Sequence, residues 1–131
     1  MDEPIVLGDF REFTELDDGP TILDALDRIE AVDRQAVIEY LTHGVALTAV
    51  PGSDSDVIDA TVVALSSSIL TDGEYIWRRD LAHYVSKYGV GLHEEFLERV
   101  RSGASPPEDL EAGRRSALSR WVAERLRDGR L

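Results

Sequence analysis

TDGEYIWRRDLAHYVSKYGVGLHEEFLERV, residues 71–100, decides the fold, because within it strand alternation gives way to helical spacing. Asp72-Gly73 predicts a type I′ hairpin turn. Residues 74–77 then return as a strand that places Tyr75 and Trp77 side by side on one face. After Asp80, a candidate cap, Leu81, Tyr84, Val85 and Tyr88 recur at i, i+3, i+4 and i+7, and Gly89 supplies the stop. A further helix over 93–102 presents Phe96, Leu97 and Val100.

Upstream of the turn, DATVVALSSSIL (59–70) is rich in β-branched residues and serines and predicts the outgoing strand. VALTAV at 45–50, closed by Pro51-Gly52, predicts a third. Before it, Asp33 can cap a helix over 34–43 that carries Val37, Tyr40 and Leu41 and stops at Gly44. Thr21 and Asp24 resemble a capping box for a short helix over 22–30, with Ile22, Leu26 and Ile29 on one side. Residues 1–20 show no sustained period and predict an irregular arm with room for an edge strand.

Downstream, Ser105 as N-cap, Pro106 in the first turn and Glu108 three residues after the cap together predict a last helix over 106–128. Leu110, Leu118, Trp121, Val122 and Leu126 form its apolar stripe, which places Trp121 in the core, and six arginines make the remaining surface basic. The expected fold is α+β: a single domain over 1–131 with about five helices on a small three-stranded antiparallel sheet.

The composition narrows the function. The 131 residues include no cysteine, which excludes disulfides, thiolate metal sites and cysteine nucleophiles. The start, MDEPIVLGDF, lacks the basic and apolar regions of a secretory signal, and no uncharged run is long enough to span a bilayer. The expectation is a cytoplasmic protein without membrane contact. Of the formal net charge of −12, all sits in residues 1–60, which hold fifteen acids and three arginines; residues 61–131 are balanced at eleven and eleven. Such a surface disfavours nucleic acid and favours a basic protein partner, although acidity also serves solubility.

Catalytic and metal signatures are weak. The three histidines, at 43, 83 and 93, have no metal-ligand spacing and suit surface or helix-end positions. Asp54, Asp56 and Asp59 lack the central glycine and closing glutamate of a calcium loop. Ser66, Ser67 and Ser68 have no histidine nearby in sequence. No catalytic residue, metal site or cofactor is therefore expected. Candidate contacts for a protein partner are the exposed acids Asp17, Asp18, Asp24, Asp27, Asp54, Asp56 and Asp59. Tyr75 and Trp77 join them as residue types common in binding hot spots, with burial in the core as the competing role.

Over residues 37–100, Leu70-Thr71-Asp72-Gly73, the Tyr75-x-Trp77 pair, Leu81, Tyr84-Val85 and Glu95-Phe96-Leu97 resemble a group of small actinobacterial proteins. Some small acidic proteins of this kind resemble the immunity proteins of polymorphic toxin systems. That resemblance implies a non-enzymatic inhibitor that occludes a cognate toxin domain through an acidic surface. Two other classes stay open: an adaptor or assembly subunit that binds through the arginine-rich last helix, and a small hydrolase.

Overall fold

The structure, a computed structural model, describes residues 3–49 and 52–131. The described residues form four α-helices and a four-stranded sheet. In chain order these are β1 (Ile5–Val6), α1 (Ala31–Thr42), β2 (Val45–Ala46), β3 (Ile69–Thr71), β4 (Tyr75–Arg78), α2 (Leu81–Tyr88), α3 (Glu94–Arg101) and α4 (Ala112–Arg127).

The sheet order is β1-β4-β3-β2. β3 and β4 pair antiparallel across Asp72-Gly73, with Leu70 opposite Trp77, and β2 pairs antiparallel with β3. β1 runs parallel to β4, so the sheet is mixed and has one strand more than the three antiparallel ones expected. The arm that supplies β1 belongs to the core: Leu7, Phe10 and Phe13 are buried, and Phe13 lies 5.2 Å from the ring of Tyr84.

Alternation along the strands sorts the two faces. Leu70, Tyr75 and Trp77 join a cluster with Val37 and Leu41 of α1, Tyr84 of α2 and Phe96 of α3. Ile69 and Ile76 point the other way, against Leu118 and Val122 of α4. Trp77 is fully buried and donates its indole N–H to the Leu41 carbonyl at 3.0 Å. Gly44 keeps the space beside it: a Cβ there would lie 2.5 Å from Trp77 Cζ2 and 3.0 Å from Leu70 Cβ.

Several expected elements come out differently, each for a physical reason. The helix expected over 22–30 is a single 3-10 turn, Ile22–Ala25. Asp27 adopts φ 56°, and the N–H groups of Asp27, Arg28 and Ile29 bond to the carbonyls of Tyr88 and Gly89 instead of continuing a helix. α1 begins at Ala31, so Asp33 lies inside it and pairs with Arg101 at 2.8 Å rather than capping. Asp80 does hold the N-cap position of α2, yet its buried carboxylate turns to Arg78 in a two-point bond of 3.0 and 2.8 Å. Burial pushes the Asp80 carboxyl up, and Arg78 opposes that.

The expected strand over 59–70 shrinks to Ile69–Thr71, and 45–50 to Val45–Ala46, with Val50 and Pro51 outside the described residues. The turn at Asp72-Gly73 is not type I′, which needs positive φ at both central residues; only Gly73 has it, at 104°. Asp72 Oδ1 instead accepts from the N–H groups of Glu74 and Tyr75, at 2.9 and 2.8 Å.

α4 starts at Ala112, six residues later than expected. Pro107 disfavours the helical region for its neighbour Pro106, and the start signals around Ser105 are followed by non-helical residues up to Glu111. The stripe is narrower as well. Leu118 and Val122 are buried, Leu126 is exposed, and Trp121 is half-buried with the Arg125 guanidinium 4.8 Å above its ring, a correction to its expected place in the core.

Two stability outcomes follow. Crowding against the indole should make Gly44→Ala lose about 1–3 kcal/mol, and the loss should shrink in a Trp77→Phe background, as a urea-denaturation double-mutant cycle would show. Leu118→Ala should lose about 2–5 kcal/mol and Trp121→Ala clearly less, since only the leucine is enclosed.

Candidate functional site

Residues 52–66 form the largest irregular excursion in the described chain, and they are held firmly. Backbone bonds fold the segment back on itself: Ala64 N to Asp54 O at 2.8 Å, Asp56 N to Val62 O at 2.9 Å, and Val62 N to Asp59 O at 3.0 Å. Ser55 and Val63 make an isolated antiparallel bridge.

One carboxylate fastens this loop to α2. Asp56 is 2% exposed. Its Oδ1 accepts from the N–H groups of Ile58 and Asp59, at 2.7 and 3.0 Å, which shapes the tip. Its Oδ2 lies 2.7 Å from His83 Nε2 and accepts the Tyr88 hydroxyl at 2.9 Å. A carboxylate can only accept, so Nε2 carries a proton. Tyr84 adds a third anchor by accepting the Val57 N–H at 2.9 Å.

Burial pushes the Asp56 carboxyl up, but the bonds from His83, the two backbone N–H groups and Tyr88 outweigh it and hold the group at about 2. Burial and the bond to Asp56 push the Tyr88 hydroxyl up to about 12. Asp56 thus stays ionised across neutral pH.

With Asp56 turned inward, the loop presents other side chains to solvent. Val57 is 41% exposed, Val63 70% and Leu65 41%. Beside them stand the exposed carboxylates of Asp54, 3.8 Å from Arg78 Nη2, and Asp59. Asp59 accepts from the hydroxyl and N–H of Thr61, bonds that hold its carboxyl below the usual carboxylate range. The loop thus exposes three apolar side chains and two carboxylates on a backbone that the Asp56 bonds hold in shape.

The expected contact residues divide into three groups. Asp54 and Asp59 are exposed on the loop, and Asp24 and Asp27 are exposed on the preceding segment. Tyr88 joins the two regions, since its carbonyl takes the Asp27 N–H while its hydroxyl holds Asp56. Asp17 and Asp18 are exposed elsewhere: Asp18 shares a hollow with Arg125 and Arg130 at the end of α4, where basic charge offsets it. Asp56, Tyr75 and Trp77 are buried, which withdraws them from any partner surface.

His83, Tyr84 and Tyr88 were not expected as a functional unit, and His83 is a loop anchor rather than an isolated surface residue. Their signal was present: three rings with polar tips on an eight-residue helix each need a partner when buried. On α4, several arginines serve the fold. Arg114 binds the Gly73 carbonyl, Arg115 the Ala46 carbonyl and Asp109, and Arg125 lies by Asp9.

Among the described residues, no group of three or more acidic or histidine side chains is arranged to hold a metal ion, and no helix is long and apolar enough to cross a membrane. Comparison with protein-family models, curated proteins and solved structures returned no match.

The Asp56 anchor predicts a pH-dependent effect. Its folded value of about 2 lies below the ordinary 3.8, so its contribution is complete above about pH 4 and is lost as pH falls through 2. Asp56→Asn should cost about 2–3 kcal/mol at pH 7 and speed amide exchange across 52–66. The gap to the native protein should narrow in urea titrations repeated between about pH 4 and pH 2.

Proposed function

We propose that this protein binds a basic protein through the 52–66 loop and the adjoining acids Asp24 and Asp27, and acts as an occluding inhibitor of the immunity type. The observation that carries this reading is what the loop exposes: Val57, Val63 and Leu65, together with the carboxylates of Asp54 and Asp59, on a backbone held by Asp56. Apolar surface with a polar rim is the usual anatomy of an interface, and a loop ordered in advance loses little entropy when it binds.

The charge distribution supports the same partner. Acids dominate residues 1–60, and the arginines of 61–131 lie partly against them, as at Asp9 and Arg125. The excess of acids over bases in residues 1–60 would steer a basic surface toward the loop. Occlusion needs only a fit between surfaces; neither a nucleophile nor a cofactor takes part.

Surface plasmon resonance against the product of the neighbouring gene is the direct experiment, because an immunity gene lies beside that of its toxin. The on-rate should fall about tenfold or more between 0.02 and 0.5 M salt, and Asp24→Asn, Asp27→Asn, Asp54→Asn and Asp59→Asn together should reproduce that fall at low salt. Val57→Ser with Val63→Ser should raise the off-rate and leave the on-rate nearly unchanged. An interaction indifferent to all of these changes would move the interface away from the loop.

A further inference from the structure

The outer face of α1 and the end of α3 border a cleft that shares no residue with the 52–66 loop. Ala36, Glu39 and Tyr40 of α1, His43 just past its end, Val100 of α3 and the segment 103–108 line an open cleft of about 670 Å³. Small-molecule sites span roughly 300–1,000 Å³. The far wall is set by sequence: α3 ends at Arg101, Gly103 takes φ 84°, and Pro106-Pro107 keep the chain from resuming a helix there.

The lining has two chemistries. Ala36, Val100, Ala104, Pro106 and Pro107 supply apolar surface. Glu39, His43, Ser105 and Glu108 supply polar groups, and neither lysine nor arginine lines the space. His43 Nδ1 lies 2.7 Å from the Glu39 carbonyl oxygen. A carbonyl only accepts, so Nδ1 carries the proton, and in the neutral ring Nε2 is an acceptor. Glu39 and Glu108 are exposed carboxylates, also acceptors, and together carry two negative charges. Apart from the Ser105 hydroxyl, which can play either part, and the Tyr40 hydroxyl, which donates to Asp72 at 2.6 Å, the polar side chains of the cleft accept hydrogen bonds.

A matching ligand must donate, carry positive charge and own an apolar portion. We infer that the cleft binds an organic cation, a primary ammonium or guanidinium on an aliphatic stem. The stem lies along Val100 and the two prolines, and the head donates to Glu39, Glu108 and His43. An anion would meet two carboxylates, and a bare metal ion would find apolar walls on most sides. The same chemistry occurs in a free amine and in an arginine side chain of a bound protein.

The test is an NMR titration of the full chain with three probes: agmatine, uncharged pentan-1-ol, and the peptide acetyl-Gly-Arg-Gly-amide. Agmatine should shift the amides of Ala36, His43, Ala104 and Ser105 in a saturable way, with pentan-1-ol binding much more weakly. Glu39→Gln with Glu108→Gln should weaken agmatine roughly tenfold, since each exposed ion pair contributes up to about fivefold, and both sites are exposed enough to leave the fold intact. Saturation by agmatine and not by the peptide assigns the cleft to a free amine; equal or tighter saturation by the peptide assigns it to a protein's arginine. Equal binding of pentan-1-ol, survival of binding in the double variant, or unsaturable shifts spread over the acidic surface would overturn the inference.

Discussion

Burying Trp77 is the constraint on which the rest of the fold depends. The largest side chain of the protein sits fully enclosed on β4, between β1 and β3, and its indole N–H must find an acceptor there. Leu41 offers its carbonyl only because α1 lies tight against the strand, and Gly44 allows that approach by having no side chain. Phe96 then closes the space, 5.2 Å from both Tyr40 and Tyr75 and 6.2 Å from Trp77, which fixes α3 over the same face. Three helices are positioned around one strand, leaving Ile69 and Ile76 on the opposite face for α4.

Outside the core the chain uses one device twice. Asp72 shapes its turn by accepting two backbone N–H groups at Oδ1, while Oδ2 accepts the Tyr40 hydroxyl at 2.6 Å and Arg99 at 3.1 Å. Asp56 repeats the pattern with Ile58 and Asp59 at Oδ1, and with Tyr88 and His83 at Oδ2. In both cases one oxygen sets a local bend and the other docks it through a tyrosine and a nitrogen donor, both on α2 for Asp56 and on α1 and α3 for Asp72. Bends that would otherwise be mobile become part of the rigid body, because releasing either carboxylate would strand several buried partners at once.

The sequence revealed elements wherever period and terminator agreed. α2 between Asp80 and Gly89, α3 around Phe96, and the pairing of 69–71 with 75–78 could all be read from residues close together in the chain. What could not be read depended on distant partners. The segment 22–30 has helical spacing, but Gly89 and Gly91 bring another backbone so close that its N–H groups pair across the gap. Val62 and Val63 have strand propensity, yet Asp56 draws that stretch into a loop and leaves Val63 exposed. Of the candidate contacts, the exposed acids needed only composition; the burial of Asp56 became visible only with its partners on α2.

Turning Asp56 inward changes what acidity means for this molecule. A run of aspartates on a flexible loop would repel itself and spend entropy on any partner that ordered it. Here one aspartate is taken up as the fastening, and its neighbours Asp54 and Asp59 stand at fixed places beside exposed valines and leucine. Long-range attraction and short-range fit are thereby divided between different atoms: carboxylates can hasten encounter, while apolar side chains set how long contact lasts. The division holds only while the loop keeps its shape, so the stability of the Asp56 anchor and the specificity of the surface above it are one property.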